Sequence, residues 1–158
     1  MKTSAMYSLP LQKEDFSLAV NDHKTEKTKH AVDFDMEIGR LVLAAADGKV
    51  VEVYVESSEG GSEEKYKNNI NQYTNRITIK HADNEYSQYA HLAYQSAKVR
   101  VGDTVVRGQE IASSGNTGYS TQPHLHFHAM ALTKDKKDWY SLEIIWQEEF
   151  KIKTKNNS

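Results

Sequence analysis

The sequence predicts one mainly β domain with little helix, and three observations support this fold class. Short runs rich in β-branched and aromatic residues recur from Leu41 onward, separated by glycines and polar turns, as in consecutive strands. Only residues 138–149 show a helical period of hydrophobic residues. The length of 158 residues suits a single hydrophobic core. We therefore expect a compact antiparallel β-sheet sandwich or barrel-like domain over residues 1–150.

The predicted strands follow one another through short connections, except at one place. A turn signal at Asp47-Gly48 indicates a hairpin between the first two strands. A polar insertion, residues 56–75, separates the second strand from the third, and a segment this long commonly borders a site. The charged residues 151–158 are expected to form a flexible tail. In chain order, the predicted strands are residues 41–46, 50–55, 76–80, 85–91, 99–103, 105–112 and 123–128.

The composition excludes several classes of function. The net charge of -2 offers no general electrostatic basis for binding nucleic acid. The absence of cysteine excludes a thiolate zinc cage, a disulfide framework and a cysteine nucleophile, so any chemistry must come from histidines and carboxylates. No stretch approaches the roughly 20 apolar residues that span a bilayer. The first residues also lack the apolar core of a signal peptide, which leaves either a cytoplasmic protein or one whose export segment lies outside this sequence.

The most informative motif is the histidine-rich segment of residues 123–128. Alternation along a strand places His124, His126 and His128 on one face and two apolar side chains on the other. Histidine is the commonest metal ligand and is well suited to carry protons near neutral pH. This face therefore predicts a hydrolytic metal site, with a merely polar strand face as the plainer alternative.

Two further segments offer partners for these imidazoles. In the run Tyr-Ala-His-Leu, alternation places His91 on the strand face of Tyr89 and Ser87. In the run Ala-Val-Asp-Phe, the Asp33 carboxylate lies between apolar residues, where a charge is costly unless it is paired or binds a metal. A structural histidine and a turn-capping aspartate are the alternatives at these positions.

Together these motifs resemble the lysostaphin/LytM-type zinc endopeptidases, which cleave peptidoglycan cross-bridges and stem peptides. The resemblance covers residues from about 23 to 130 and depends on the order and spacing of the motifs. The motifs are Ala31-Val32-Asp33-Phe34, Gly39-x-x-Val42-x-Ala44-Ala45-x-x-Gly48-x-Val50, Tyr89-Ala90-His91-Leu92, Val101-Gly102-Asp103-x-Val105, Ser114-Gly115-Asn116-Thr117-Gly118 and Pro123-His124-Leu125-His126-Phe127.

The resemblance implies a duplicated-hybrid-motif fold with an open groove that binds one zinc ion. It implies Asp33 and His126 as two of the zinc ligands. It also implies His91 and His124 as the catalytic imidazoles beside a zinc-activated water, which attacks a peptide bond of peptidoglycan. Either imidazole can be the general base.

The third protein ligand of the zinc ion has two candidates. The family's usual His-x-x-x-Asp spacing requires histidine at position 29, which is Lys29 here. His30 is three residues before Asp33 and faces away from it on a regular strand. His23 lies ten residues before Asp33, in a segment that can swing to the metal, and we favour it over His30.

Departures from the family pattern indicate a divergent branch. Arg40-Leu41 replaces the usual Thr-Pro pair, and His128 stands where relatives often carry Glu or Gln. With Lys29, these departures keep an alternative function open, a catalytically inactive module that binds peptidoglycan or regulates a cell-wall amidase. A lipoyl or biotinyl carrier, which residues 101–112 also resemble, is the least favoured alternative, because no lysine between Arg100 and Lys134 is present to carry the cofactor.

The resemblance also implies partners and a location. The expected substrate is a peptidoglycan peptide, and neither nucleic acid nor a membrane-spanning segment is expected. We expect a monomer at the bacterial cell envelope, periplasmic or extracellular, with an export segment that this sequence does not contain.

Overall fold

The structure is a computed structural model that describes residues 1–154, so residues 155–158 of the predicted tail lie outside the described part. The strands are β1 (Lys2–Tyr7), β2 (Phe16–Asn21), β3 (Val32–Met36), β4 (Leu41–Leu43), β5 (Gly48–Tyr54), β6 (Gly60–Gly61), β7 (Arg76–Ala82), β8 (Glu85–Ala90), β9 (Thr104–Val105), β10 (Glu110–Ser113), β11 (Gly118–Tyr119), β12 (His124–Leu132), β13 (Trp139–Trp146) and β14 (Ile152–Thr154). The helical segments are a 3₁₀ turn (Lys13–Asp15), α1 (Glu64–Asn68) and α2 (Ile70–Tyr73). None of the helices in this part has the length and apolar character needed to cross a lipid bilayer.

Ten of the strands in residues 1–154 form one open sheet rather than a closed barrel. β12 lies at its centre. Along one edge, residues 124–127 pair with β3 and residues 129–132 pair with β13, while residues 126–130 pair with β8 along the other edge. The sheet runs in the order β14, β2, β3, β12, β8, β7, β5 and β9, while β1 joins it through β13. The predicted mainly β fold class with little helix is confirmed.

In the described part, three strand pairs are parallel, although the sequence predicts an antiparallel sheet. They are β1 with β13, β2 with β14, and β6 with β11. Each pair joins segments far apart in the chain, and a long connection allows either direction, whereas a tight hairpin requires antiparallel strands. Ile152–Thr154 is therefore a paired strand beside β2, at the start of the predicted tail of residues 151–158.

The structure differs from the sequence predictions at three other places. Residues 138–149 contain β13 instead of a helix, and this strand pairs with both β12 and β1. Asp47-Gly48 does not close a hairpin, because β4 pairs with β10 while β5 pairs with β7 and β9. The insertion of residues 56–75 contains β6, α1 and α2 rather than an irregular loop.

The two faces of β12 separate the hydrophobic core from the histidines. Leu125 and Phe127 are fully buried and pair in register with core residues of β3. The alternating residues His124, His126 and His128 project from the opposite face, as the sequence predicts. Because a slip by one residue would exchange the two faces, burial of the apolar face fixes the register of the imidazoles.

Truncation of Phe127 tests this core. Its ring is fully buried, and its centroid lies 5.1 Å from that of Tyr89 and 5.8 Å from that of Trp146. We expect Phe127→Ala to lower the free energy of unfolding by about 3–5 kcal/mol, because a cavity is added to the lost transfer free energy. Urea unfolding measures this loss. Ile38→Ala, at a position that is 60% exposed, should change the free energy of unfolding by less than about 0.5 kcal/mol. Equal losses in the two variants would contradict the assignment of Phe127 to the core.

Candidate active site

Three side chains from separate segments meet over the first half of β12. Asp33 on β3 and His126 on β12 are register partners, so their side chains are neighbours on the same sheet face. His126 Nδ1 lies 2.9 Å from one Asp33 carboxylate oxygen. His23, from the segment between β2 and β3, places its Nε2 2.9 Å from the other oxygen. One potential ligand atom of each residue lies within 4.8 Å of the other two.

Asp33 is the negative centre of this group. Burial alone would raise the pKa of the Asp33 carboxyl, but hydrogen bonds from His126 and His23 hold it well below its usual range. The hydrogen bond to Asp33 raises the pKa of His23, against the effect of burial. Asp33 is therefore an ionised carboxylate at neutral pH, with an imidazole nitrogen at each of its oxygens.

The chemistry of this donor set fits a zinc ion. Catalytic zinc sites commonly use three protein ligands, with imidazole nitrogen and carboxylate oxygen among them, and keep a further position for water or substrate. His23, Asp33 and His126 supply two such nitrogens and one such oxygen close together. The three residues favoured as ligands are thus brought together, and their role as ligands stays a prediction.

His30, the alternative third ligand, does not join this group. It precedes β3, and its backbone N–H donates to Ser141 Oγ at 3.3 Å. Burial, together with the nearby Lys29 charge, lowers the pKa of its partly exposed imidazole. Of the two candidate histidines, the structure brings His23 rather than His30 beside Asp33.

His91 and His124 lie together beside the three potential ligands. Their ring centroids are 4.5 Å apart, and the His91 ring lies 6.1 Å from the His126 ring. His124 Nε2 lies 3.8 Å from an Asp33 oxygen. The residues that the sequence predicts as catalytic and those that it predicts as ligands therefore occupy one place in the fold.

Backbone carbonyls orient both of these imidazoles. His91 Nδ1 lies 2.6 Å from the carbonyl oxygen of Thr117. His124 Nδ1 lies 2.8 Å from the carbonyl oxygen of Gln122. A carbonyl oxygen only accepts hydrogen bonds, so each Nδ1 carries a proton and donates it, which leaves Nε2 as the basic nitrogen of the neutral ring. Burial, reinforced by the charges of His124 and His126, lowers the pKa of His91 to about 3.

The position of His91 corrects one sequence prediction. Regular alternation places His91 on the strand face of Tyr89 and Ser87, but those two side chains are fully buried. β8 ends at Ala90, and His91 has a φ of 66°, in the left-handed region that few residues other than glycine adopt. The backbone turns at this residue, and the imidazole reaches the histidines of β12 instead of following Tyr89 into the core.

Asn75 supports this arrangement, although no motif in the sequence points to its role. Its buried side chain accepts from the Ser57 N–H and donates to the Ser57 carbonyl. Asn75 Nδ2 also donates to the carbonyl oxygen of Leu92 at 3.0 Å, and Thr117 Oγ1 donates to the same oxygen at 2.8 Å. These hydrogen bonds connect Ser57 and Asn75, at the two ends of the insertion, with Leu92, which follows His91. They also connect Leu92 with Thr117, whose carbonyl orients the His91 ring.

Two separate cavities are lined by residues of the site. The larger cavity, of about 660 Å³, is lined by His126, by Ile70 of the insertion and by Tyr119. The smaller cavity, of about 280 Å³, is lined by Asp33 and His124. The insertion therefore borders the site, and both cavities reach residues of the histidine cluster.

Comparison with known proteins identifies the chain as a member of a peptidase family. The family model described as Peptidase family M23 matches residues 27–138, and the chain belongs to this family. The resemblance to lysostaphin/LytM-type endopeptidases is confirmed by the relatives and solved structures that match.

Two curated relatives show how far the sequence similarity extends. Glycyl-glycine endopeptidase ALE-1 of Staphylococcus capitis is 41% identical over 102 residues, which are 64% of this chain and 24% of that protein. Peptidoglycan DD-endopeptidase ShyA of Vibrio cholerae is 35% identical over 98 residues, which are 62% of this chain and 19% of that protein. The chain thus matches about a quarter or less of the length of these relatives.

Solved structures share the fold. The catalytic domain of lysostaphin from Staphylococcus simulans matches with a TM-score of 0.53 and 30% identity, over 79% of this chain and 86% of that one. A zinc-containing peptidase from Vibrio cholerae matches with a TM-score of 0.59 and 25% identity, over 88% of this chain and 40% of that one.

Proposed function

We propose that this chain is a zinc-dependent endopeptidase that hydrolyses peptide bonds of bacterial peptidoglycan. The observation that carries the proposal is a single cluster of side chains in which the potential zinc ligands lie next to two oriented imidazoles. Membership of family M23 supports this activity, as do relatives named as glycyl-glycine and peptidoglycan endopeptidases.

In this proposal, His23 Nε2, His126 Nδ1 and an Asp33 oxygen hold one zinc ion. A zinc ion bound by such ligands polarises a carbonyl group and lowers the pKa of a coordinated water toward about 7. Asp33 supplies the single negative charge of the ligand set, so the occupied site keeps a net positive charge. That charge favours the oxyanion that develops when a peptide carbonyl is attacked.

His91 and His124 move protons in this proposal. An unprotonated Nε2 can take a proton from the attacking water. The same nitrogen, once protonated, can donate to the oxyanion or to the leaving amine. Because a backbone carbonyl orients each ring in the same way, either imidazole can be the general base.

The two cavities and the family also support a substrate and a location. The two cavities lined by site residues leave room for residues of a peptide next to the proposed ligands. We propose a peptidoglycan peptide as substrate, bound by a monomer whose peptidase domain covers residues 1–150. The location follows from the substrate, since peptidoglycan is reached in the periplasm or outside the cell.

A catalytically inactive module that binds peptidoglycan or regulates a cell-wall amidase is the second candidate. Lys29 favours it, because the family's usual spacing has histidine at this position. The hydrogen bond of His23 to Asp33 favours the peptidase, because His23 can replace that ligand. Zinc analysis and digestion of purified peptidoglycan separate the two. Stoichiometric zinc with release of new amino termini supports the peptidase, while peptidoglycan binding without either supports the module.

His23→Ala is expected to lose zinc, whereas His30→Ala is expected to retain it. Only the first variant removes an imidazole nitrogen that lies beside Asp33. We expect the dissociation constant for zinc to rise more than about 100-fold in His23→Ala. Loss of a residue that only hydrogen-bonds a zinc ligand typically raises this constant about 10–100-fold. Competition with a chelating dye measures both constants. Equal constants in the two variants would exclude His23 as the third ligand.

A further inference from the structure

His128 is a buried histidine beside the proposed ligand His126. It is 2% exposed, and its ring stacks on that of Trp139 with centroids 4.9 Å apart and planes 4° apart. His128 Nδ1 lies 3.0 Å from His126 Nε2. Among residues 1–154, His128 Nε2 has no hydrogen-bond partner. The contact with His126 is therefore the one hydrogen bond that the described structure gives to this imidazole.

This contact constrains which nitrogen of His126 carries a proton. One of the two facing nitrogens must donate and the other must accept, because two lone pairs or two protons would repel each other. In the described structure His126 Nδ1 donates to the Asp33 carboxylate. When Nδ1 instead offers a lone pair to a metal, the neutral ring must carry its proton on Nε2. His128 Nδ1 is then the acceptor, and the proton of His128 is on Nε2.

We propose that His128 is a positioning residue that accepts the Nε2–H of His126 and thereby fixes the tautomer and ring orientation with which His126 presents Nδ1 to zinc. This inference rests on the proposed function. In zinc sites the second nitrogen of a ligating histidine almost always donates to a carboxylate, a backbone carbonyl or water. Here an imidazole takes that place, and its stacking on Trp139 holds the accepting nitrogen in line.

Two substitutions at this position separate hydrogen bonding from packing. His128→Phe keeps an aromatic ring against Trp139 but removes the acceptor, while His128→Gln loses the ring but supplies an acceptor oxygen. We expect the zinc dissociation constant to rise about 10–100-fold in His128→Phe and by less than about threefold in His128→Gln. Competition with a chelating dye measures these constants independently of peptidase activity.

His81→Gln is the matched control. This histidine is partly buried, and its ring bonds Ser87 Oγ and the Asp47 carbonyl instead of a site residue. The zinc dissociation constant should not change in this variant. Thermal unfolding of each metal-free protein shows that the compared variants are folded.

The ring nitrogen resonances of zinc-loaded wild-type protein test the assignment without any variant. The expected NMR result is a protonated Nε2 and an unprotonated Nδ1 at His126. A protonated His126 Nδ1 would overturn the assignment, and so would equal zinc affinities in wild type and a folded His128→Phe variant. If zinc binding were weakened in His128→Gln as much as in His128→Phe, the contribution of His128 would come from packing of its ring, and the proposed hydrogen-bonding role would be wrong. Absence of zinc from the wild type would overturn the proposed function itself, and this assignment with it.

Discussion

Replacement of Asp33 by alanine is expected to abolish both zinc binding and peptide hydrolysis. The substitution removes the only carboxylate among the three proposed ligands, which lies 2.9 Å from His23 Nε2 and from His126 Nδ1. The two remaining imidazoles have no negative charge between them to offset that of a divalent cation. Elemental analysis of the purified variant measures the loss of zinc, and release of amino groups from peptidoglycan measures the loss of hydrolysis.

Asp35→Ala is the matched control for this experiment. Asp35 is two residues along the same strand and on the same face, where it pairs in register with His124. It does not belong to the group of potential ligands within residues 1–154. Its loss should leave the zinc content unchanged. Full zinc occupancy in Asp33→Ala would contradict the proposed site. An equal loss of zinc in Asp35→Ala would show that removal of any negative charge near the site weakens zinc binding, whether or not the residue is a ligand.

His91→Ala and His124→Ala are expected to keep zinc and to lose most of their turnover. Both rings lie beside the ligand group, but neither belongs to it. General acid–base catalysis contributes about 10²–10⁴-fold, so we expect kcat to fall by a factor in this range in each variant. Because the residues act on the same proton transfers, the double variant should lose less than the product of the two factors. Steady-state kinetics on a defined peptidoglycan peptide, with zinc analysis of the same samples, measures both quantities.

The pH dependence of kcat/KM distinguishes the roles of these two imidazoles. The variant that loses the acidic limb of the profile lacks the general base, because that limb reports protonation of the base in the free enzyme. His30→Ala serves as the control, since its ring lies outside the site. Loss of zinc in either variant would instead place that residue among the ligands, and unchanged turnover in both would remove the two imidazoles from the mechanism.

The central strands could be predicted because burial follows a local rule in an extended chain. Leu125 and Phe127 alternate with three histidines, and Val32 and Phe34 alternate with Asp33. Each segment has one face that must be buried, which fixes the face of its polar residues. The juxtaposition of Asp33 with His126 depends in addition on β3 and β12 being neighbours, and the resemblance to a known family supplied that expectation.

Segments whose structure depends on distant partners could not be predicted in the same way. The hydrophobic residues of 138–149 fit a helix as well as a strand, and the decision comes from pairing with β12 and β1. Asp47-Gly48 carries a local turn signal, yet the strands on either side pair with β10 and β7. The intrinsic helix and strand propensities of residues differ by a few tenths of a kcal/mol to about 1 kcal/mol, and pairing with distant strands readily outweighs them.

The third potential ligand and the orientation of His91 also depended on the fold. His23 and His30 both precede Asp33, and chain separation does not tell which imidazole reaches the carboxylate. The return of the chain from β2 to β3 places His23 there. His91 leaves the alternation of β8 through a left-handed backbone conformation. Hydrogen bonds between Thr117 and the His91 ring and between Thr117 and the Leu92 carbonyl hold this turn in place.

The residue pattern alone established a mainly β chain, its histidine-rich strand face and an acid suited to pairing, because alternation and burial are properties of neighbouring residues. The three-dimensional arrangement decided which histidine meets Asp33, how His91 turns toward the histidines of β12 and that His128 contacts His126. These depend on contacts between segments distant in the chain, or on side-chain rotations within a strand face. The free energy of such contacts depends on how the segments pack in three dimensions, and this packing cannot be deduced from the sequence alone.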